Sequence, residues 1–327
     1  MKYSDNVINR AEQELETRRQ NAQNVFDQRS EEIAQKAPEI AKINEMLINT
    51  SIELTKAYLK DPKSFPDAVE EIKIKNLEGQ EKIKKLLVAF GYPVDYLDMQ
   101  YNCDKCFDTG YVEGIRCSCY DELLSKFAVE ELNKQCKIAL CDFDDFNLSY
   151  YPDLNNQNLN PRTKMSEILE FCKSWVEEFD LNSTGIFMQG RTGLGKTFLS
   201  SAIAKALLQK GYSVAFDSIS NFLRAIENEH FGRVNDKDTL QVLLDADLVI
   251  LDDLGSEFNS PFYASSIYNI INSRINMNKP TIVSTNYTQD ELQQKYDDRI
   301  VSRLTCSFYY LSFVGNDIRR IKHLEDM

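Results

Sequence analysis

The second half of the chain alternates short apolar runs with longer amphipathic stretches from about residue 164 onward. The short runs have the length and composition of buried strands. Apolar residues at helical spacing fill the segments between the first four of these runs. Strands that alternate with helices predict an α/β fold with a five-stranded parallel sheet covered on both faces. The predicted strands are residues 185–189, 213–217, 248–252, 281–285 and 308–313.

The first 98 or so residues show helical patterns only. Residues 6–37 are polar with few apolar positions, whereas residues 40–59 and 68–90 carry apolar residues at helical spacing. We expect a break between these last two segments at Pro62 and Pro66. The polar first segment fits a solvated helix or coiled coil, or else a helical module that docks a partner, and composition alone favours the former.

These changes of pattern divide the chain into four predicted parts. Residues 143–162 are rich in Asn, Asp and Pro, which is typical of a linker or an ordered loop, so a domain boundary is expected there. The predicted parts are a helical domain (1–98), a cysteine-containing module with the helix after it (99–135), a linker (136–163) and the α/β domain (164–327).

A phosphate-binding pattern follows the first predicted strand of the α/β domain. Residues 190–197, GRTGLGKT, fit G-x-x-x-x-G-K-[ST] without a mismatch and open a predicted helix. Glycines let the backbone N–H groups wrap the phosphates, Lys196 would reach the β- and γ-phosphates, and the Thr197 hydroxyl would bind Mg²⁺. The predicted nucleotide-binding residues are Gly190, Arg191, Thr192, Gly193, Leu194, Gly195, Lys196, Thr197, Phe198 and Asp252.

Polar residues end two further strands of the predicted sheet. A buried strand would bring Asp252 beside the phosphates, where it could hold Mg²⁺ together with Thr197. Asp253 would occupy the position of the base that polarises the attacking water, although its side chain is shorter than the Glu often found there. Asn286 could orient water against the γ-phosphate, or it could be an ordinary turn residue.

Four of the eight cysteines fall within seventeen residues, in a chain whose polar N-terminus does not resemble a signal peptide. Clustered cysteines without an export signal favour metal over disulfides, and four thiolates can close a tetrahedral Zn²⁺ shell. The alternative is a set of reduced cysteines without metal, and a short hairpin is expected between the pairs. The predicted zinc ligands are Cys103, Cys106, Cys117 and Cys119, while Cys136, Cys141, Cys172 and Cys306 are expected to fill apolar space.

Composition limits the remaining possibilities. The net charge of −13 argues against a general nucleic-acid-coating protein, and two histidines give little support to histidine-based catalysis. No apolar run is long enough to cross a bilayer, so a soluble cytoplasmic protein is expected. Basic and aromatic residues at two places could line a single-strand groove, although such aromatic residues more often belong to a core. They are Phe222, Arg224, Phe231 and Arg233, and then Phe262, Tyr263 and Tyr268.

Together the motifs GRTGLGKT, LVILDDLGSE, TIVSTNYT, DDRIVSRL and GNDIRR resemble, in this order, an AAA+ ATPase. They are most similar to the DnaC/DnaI-type helicase loaders, with the IstB-type transposition ATPases as near relatives. The resemblance implies a P-loop NTPase core in which the helical lid of most AAA+ proteins is truncated, because about a dozen residues follow the last predicted strand.

The resemblance also assigns roles to residues that spacing alone does not. It implies that Asn286 is sensor 1, that Arg303 is an arginine finger with Arg299 as a second candidate, and that Arg319 is the sensor 2 arginine. A finger acts on the γ-phosphate bound by a neighbouring subunit, so hydrolysis would require a homo-oligomer or a partner ATPase. Without the family pattern, surface salt bridges would be the simpler explanation of these arginines.

The implied function is ATP-dependent loading of a replicative hexameric DNA helicase onto single-stranded DNA, with residues 1 to about 135 docking on the helicase. Two other functions are kept open. One is an IstB-type helper that remodels a transposase, which the long N-terminal extension disfavours. The other is an ATP-gated adaptor with little hydrolysis, which Asp253 in the position of the base keeps open.

Overall fold

A computed structural model of the chain describes residues 3–60, 65–134, 136, 138–153, 160–232 and 238–325. The chain forms two compact units. We call Glu12–Tyr120 the helical unit, and we call Met1–Ala11 together with Asp121–Met327 the sheet unit. The four domains expected from composition have other bounds and stay a prediction.

Four helices make up most of the helical unit: α1 (Asp5–Lys36), which belongs to this unit from Glu12 onward, α2 (Pro38–Ile48), α3 (Thr50–Lys60) and α4 (Phe65–Ala89). Their small core contains Ile33, Ile40 and Leu87, each almost fully buried. Helix α3 ends at Lys60 and α4 begins at Phe65, on either side of the expected break. Pro66 itself lies in the first turn of α4, where a missing N–H leaves no intrahelical bond unmade. The expected break at Pro62 falls outside the described residues.

A hairpin of β1 (Tyr111–Val112) and β2 (Ile115–Arg116) follows in the same unit. Its two turn residues, Glu113 and Gly114, have φ of 50° and 81°. Two left-handed residues in succession give a turn whose twist matches that of antiparallel strands. The predicted hairpin between the cysteine pairs is therefore present and lies slightly later in the chain than expected.

The sheet unit is built on five parallel strands in the order β4-β5-β6-β3-β7. The strands are β3 (Ile186–Gln189), β4 (Val214–Ser218), β5 (Leu248–Leu254), β6 (Thr281–Thr285) and β7 (Tyr309–Ser312). The helices are α5 (Ser118–Asn133), α6 (Pro161–Glu177), α7 (Lys196–Gln209), α8 (Ile219–His230), α9 (Thr239–Asp245), α10 (Pro261–Asn276), α11 (Gln289–Lys295), α12 (Asp298–Cys306) and α13 (Ile318–Glu325). Short 3-10 turns cover Phe143–Asp145 and Leu148–Tyr150.

Successive residues of the central strands pack into two different cores. Ile250 belongs to a core with residues of α6 and α7, whereas its neighbours Val249 and Leu251 belong to a core with residues of α8, α10 and α12. A strand turns alternate side chains to opposite faces, so both faces of the sheet are covered. The predicted α/β class with a five-stranded parallel sheet is confirmed. Within the described ranges, no helix is both long and apolar enough to span a bilayer.

Candidate functional site

The loop 190–195 runs from the end of β3 to the start of α7 at Lys196. Gly195 has φ of 90°, in the left-handed region that favours glycine, and a Cβ there would lie 2.9 Å from the hydroxyl oxygen of Tyr151. The first N–H groups of α7 have no partner within the helix, and they give its N-terminus a partial positive charge. The loop and the helix therefore have the geometry and the partial charge that can bind an anion.

Lys196 is the first residue of α7 and is only 6% exposed. Its ammonium donates to the carbonyl oxygens of Gly190 at 2.6 Å and Arg191 at 2.9 Å, and to Oδ1 of Asn286 at 2.7 Å. Burial lowers the pKa of Lys196 to about 8. The structure thus joins Lys196 to Asn286, the polar residue that follows β6.

Asp252 ends the regular part of β5 beside the same loop. Its carboxylate accepts hydrogen bonds from the hydroxyl of Thr197 at 2.8 Å and from the hydroxyl of Ser284 at 2.6 Å. Carboxylate and hydroxyl oxygens from adjacent elements are the donors that Mg²⁺ takes in nucleotide sites. The oxygens of Thr197 and Asp252 therefore fit a magnesium ion.

Asp253 lies at an irregularity in the sheet. Between the pairs Leu251–Val283 and Leu254–Thr285, β5 has two residues and β6 has one, which is the count of a β-bulge. Asp253 has φ of 59°, its N–H donates to the Ser284 hydroxyl at 2.9 Å, and its carboxylate accepts from the Asn286 amide. Burial, and then the negative charge of Asp252, raise the pKa of Asp253.

These side chains surround a cavity of about 530 Å³. Of the predicted nucleotide-binding residues, Gly190 and Arg191 are absent from its lining and contact Lys196 through their carbonyls instead. The lining residues are Ile138, Ala139, Cys141, Asp145, Phe146, Asn147, Tyr150, Tyr151, Thr192, Gly193, Leu194, Gly195, Lys196, Thr197, Phe198, Ser201, Asp252, Asp253, Ser284, Asn286, Ile318 and Arg319.

Part of the stretch expected to be a linker, residues 138–151, also lines this cavity. Tyr151 is 1% exposed and donates to the carbonyl of Leu194 at 2.9 Å, and the Phe146 ring packs against the rings of Tyr151 and Phe198. No sequence motif identifies residues 138–151 as part of the cavity lining. The aromatic residues within an otherwise Asn- and Asp-rich stretch are the one sequence signal that points to packing.

The three candidate arginines lie in different places. Arg319, the second residue of α13, lines the cavity. Arg303 and Arg299 lie on α12 and do not line it. The Arg303 guanidinium donates to Oδ1 of Asn272 at 2.8 Å and to the hydroxyl of Tyr268 at 3.1 Å, whereas the Arg299 side chain is 74% exposed. The two arginines of α12 therefore lie outside the cavity of their own chain.

The aromatic residues considered for a single-strand groove are divided between core and surface. Phe222 and Tyr263 are buried in the core, while Phe231 is 60% exposed and Arg224 is exposed. Arg233 lies outside the described residues. The remaining members, partly buried against the same core, are Phe262 and Tyr268.

The predicted zinc ligands of the helical unit come together. The four sulfur atoms lie within 4.8 Å of one another, and the Cys106 and Cys119 sulfurs are 3.4 Å apart. A tetrahedral zinc ion with Zn–S bonds of about 2.3 Å places its sulfurs about 3.8 Å apart. Buried Asp108 accepts from the N–H of Cys103 at 3.0 Å, which fixes the first turn of the cluster. The four cysteines could therefore hold a metal ion, and their donor chemistry fits zinc.

Backbone N–H groups of this turn stabilise negative charge on sulfur. A hydrogen bond from the Cys106 backbone is the main cause that lowers the pKa of Cys103 to about 7. Of the other cysteines, Cys172 is fully buried as expected. The expectation of apolar packing is wrong for Cys306, which is exposed at the end of α12.

A parallel sheet that ends in a phosphate-binding loop, with an acidic strand end hydrogen-bonded to the first turn of the following helix, defines a P-loop nucleotide-binding protein. Residues 138–322 match the family described as IstB-like ATP binding protein. The match spans more than half of the chain, and the chain belongs to this family of ATP-binding proteins.

Curated relatives agree with the predicted resemblance. The replicative helicase loader DnaC of Escherichia coli K12 is 27% identical over 137 residues, which are 42% of this chain and 56% of that protein. The replicative helicase loader DnaI of Bacillus subtilis is 27% identical over 130 residues, which are 39% of this chain and 41% of that protein. The chain thus spans about half the length of the curated relatives it matches.

A solved structure of the DnaC helicase loader is 25% identical with a TM-score of 0.44, and the match covers 53% of this chain and 98% of that one. A structure of DnaI is 23% identical with a TM-score of 0.44, and the match covers 55% and 90% respectively. The predicted relationship to the DnaC/DnaI loaders and the IstB-like family is confirmed at the level of the family by the match of residues 138–322 and by the curated relatives.

Proposed function

We propose that the chain binds Mg²⁺ and ATP in the cavity beside α7 and hydrolyses the ATP. The observation that carries this proposal is the convergence of two pairs: Lys196 with Asn286, and Thr197 with Asp252. Thr197 and Asp252 would hold the ion, which would neutralise phosphate charge. Asp253 would polarise water as general base, with Asn286 orienting it. Arg319 would contact phosphate from the rim of the cavity.

Turnover of ATP tests this proposal directly. We expect the wild-type chain to release phosphate at a rate at least about tenfold above that of Lys196→Ala, because the lysine stabilises charge that develops on the phosphates. A matched control is Lys205→Ala, which removes an ammonium of the same helix that pairs with Asp142. Equal rates for the wild type and Lys196→Ala, with and without single-stranded DNA, would exclude hydrolysis at this site.

We further propose that this ATPase loads a replicative hexameric helicase onto single-stranded DNA, with residues 1–135 docking on the helicase. The proposal is supported by relatives that are named replicative helicase loaders. In a reconstituted reaction, the protein would increase helicase association with single-stranded DNA when ATP is present. A full chain that neither co-purifies with a helicase nor changes its DNA association would contradict this role.

The matched family is described as IstB-like ATP binding protein, which also supports a second function, that of an IstB-type transposition helper. In that case the ATPase would act on a transposase, and capture of a transposase instead of a helicase would identify it. An ATP-gated adaptor is the third possibility. It would bind Mg²⁺ and ATP with normal affinity and release no more phosphate than Lys196→Ala.

We propose that the four-cysteine cluster binds one structural zinc ion. The support is the approach of all four sulfurs to within 4.8 Å, which leaves no open position for chemistry. Metal analysis of freshly reduced protein should give about one zinc per chain, and Cys106→Ser should lose it. Cys306→Ser, which changes an exposed cysteine, is the matched control. Wild-type protein without metal would exclude the site.

A further inference from the structure

The loop after Asp253 is held in a conformation that an isolated chain would not favour. Asp253 has φ of 59° and Gly255 has φ of 111°, so the backbone leaves the sheet through two residues with positive φ. Left-handed backbone at a residue other than glycine carries strain, and it persists only where surrounding contacts determine it.

Glu257, two residues after Gly255, supplies one set of the contacts that hold this loop. Its side chain is only 2% exposed, and Oε2 accepts the N–H of Gly255 at 2.9 Å. Its other oxygen accepts from the Tyr296 hydroxyl and pairs with the Lys295 ammonium at 3.0 Å. The Glu257 carboxylate therefore bonds to the backbone of its own loop and also joins this loop to Lys295 and Tyr296.

Lys295 completes this arrangement from the end of α11. Its ammonium donates to the carbonyl of Gly255 and to the carbonyl of Glu257, the latter at 3.0 Å, in addition to pairing with the carboxylate. All three ammonium hydrogens thus have partners, and the side chain is only 16% exposed. A buried ion pair with its hydrogen bonds satisfied is rigid, and the loss of one partner leaves the other uncompensated.

The Glu257 cluster, which we define as Glu257, Lys295, Tyr296 and the backbone of Gly255, also lies next to α12 in the chain. α12 begins two residues after Tyr296, at Asp298, with Asp297 as its N-cap. Arg303, the candidate finger, lies on this helix. The cluster is thus attached on one side to Asp253 and on the other to the start of the helix that carries Arg303.

We propose that Glu257 is a positioning residue that fixes the orientation of Asp253 and couples it, through Lys295 and Tyr296, to α12. The proposal rests on the proposed hydrolysis of ATP, in which Asp253 polarises water and Arg303 of α12 is the finger. Its consequence is that Asp253 and α12 of one subunit move together. Glu257 touches neither the cavity nor the phosphate loop. Its effect would therefore appear in turnover and not in nucleotide affinity.

Two measurements on the full chain test this proposal. The first is ATP turnover of Glu257→Gln, for which kcat should fall by about tenfold or more while KM for ATP stays within about twofold. The second is hydrogen exchange with Mg²⁺ and a non-hydrolysable ATP analogue. There the amides of 253–258 and of 296–306 should both exchange about tenfold faster than in the wild type.

The matched control is Glu227→Gln. Glu227 also accepts a hydrogen bond from a tyrosine, the hydroxyl of Tyr263 at 2.9 Å, and it lies outside both segments. It should change neither turnover nor exchange in the two segments. If Glu257→Gln does not fold, Tyr296→Phe can replace it, because it removes a single hydroxyl from the cluster. Its loss of kcat and its faster exchange in both segments should be about a third or less of those expected for Glu257→Gln.

Three outcomes would overturn the coupling: faster exchange in 253–258 alone, equal loss of affinity and turnover, or the same behaviour in the control variant. The exchange measurement also separates this proposal from the proposed hydrolysis. A wild-type chain without turnover, in which Glu257→Gln nevertheless accelerates exchange in both segments, would remove the hydrolysis proposal and support the coupling.

Discussion

Arg274 shows how much of the sheet unit depends on one buried charge. The residue has no measurable exposure, and its guanidinium donates to Thr281 Oγ1 at 2.9 Å and to the carbonyls of Leu243 at 2.7 Å and Pro280 at 2.6 Å. Burial lowers its pKa to about 9. The side chain thus joins the end of α9 to the start of β6, and it gives buried carbonyls a charged donor.

We expect Arg274→Met to lower the free energy of unfolding of the sheet unit by about 3–5 kcal/mol, because it leaves several buried carbonyls unpaired at about 1–3 kcal/mol each. Urea unfolding followed by the fluorescence of Trp175, the single tryptophan, measures this change. The control is Arg224→Met at an exposed position, which should stay within about 0.5 kcal/mol of the wild type. Equal midpoints for the two variants would show that the contacts of Arg274 contribute little.

Glu32 leads to a prediction about pH in the helical unit. Its carboxylate accepts hydrogen bonds from Lys36 at 2.7 Å, from Tyr96 at 2.7 Å and from Tyr92 at 2.9 Å, which together lower its pKa from 4.5 to about 2. When folding lowers the pKa of a carboxylate, the ionised group stabilises the folded state. This stabilisation is complete at a pH above the pKa of the unfolded chain, and it is lost as the pH falls through the pKa of the folded protein.

Glu32→Gln should therefore be less stable than the wild type at pH 6, and the difference should shrink from about pH 4.5 toward pH 2. Urea unfolding by circular dichroism at a series of pH values measures it. Glu31→Gln, at the exposed neighbouring position, is the control and should show a smaller difference. A difference that does not depend on pH would mean that the ionised carboxylate is not its cause.

The residues of the candidate site differ in how far the sequence reveals them. The loop motif and the two strand ends lead one to expect Lys196, Asp252 and Asn286 near one another, since parallel strands end at the same edge. Ser284 lies within the motif TIVSTNYT but receives no role from the sequence, yet it accepts from the N–H of Asp253 and donates to Asp252. A single hydroxyl on a buried strand is indistinguishable from a packing residue until the neighbouring strand is known.

At the level of elements, strand positions are predictable and strand order is not. The run 281–285 coincides with β6, because four of its five residues are β-branched. β5 continues to Leu254, two residues beyond the predicted end, and a bulge takes its two acidic residues out of regular pairing with β6. Local propensity contains no information on such a bulge, since the contacts that hold it come from β6 and α11.

Helix α5 gives a second element-level case, because its last residue acts on a strand far away in the chain. The side-chain oxygen of Asn133 accepts the N–H of Phe216 at 3.1 Å, and its amide donates to the carbonyl of Val214. β4 is an edge strand, and these two bonds occupy backbone groups that would otherwise be free to pair with another chain.

Asn133→Ala should lower the free energy of unfolding of the sheet unit by about 1–2 kcal/mol, because two buried backbone groups lose their partners. The same tryptophan-monitored urea unfolding measures this change. Asn182→Ala, in an exposed turn, is the control. If Asn133→Ala unfolds at the wild-type midpoint, the edge of β4 does not depend on this side chain.

At the scale of the whole molecule, we propose that one chain alone does not form a complete ATPase site. Arg319 reaches the cavity from α13, but Arg303 does not line the cavity of its own chain. A cationic group placed outside its own site can act on a neighbour through a head-to-tail interface, in which two different surfaces meet. Activity should then require an assembly of copies, and each site should take its finger from another copy.

Mixing two inactive variants tests this arrangement. Lys196→Ala keeps Arg303 but lacks a working site, whereas Arg303→Ala keeps the site but lacks the finger. In an equal mixture about a quarter of the interfaces would join an intact site to an intact finger, so about a quarter of wild-type turnover should return. Arg299→Ala in place of Arg303→Ala decides between the two arginines of α12. Because each variant alone is expected to be inactive, a mixture that stays inactive while both variants assemble normally would exclude a finger supplied by a second copy of this chain, and the activating group would then have to come from a different ATPase.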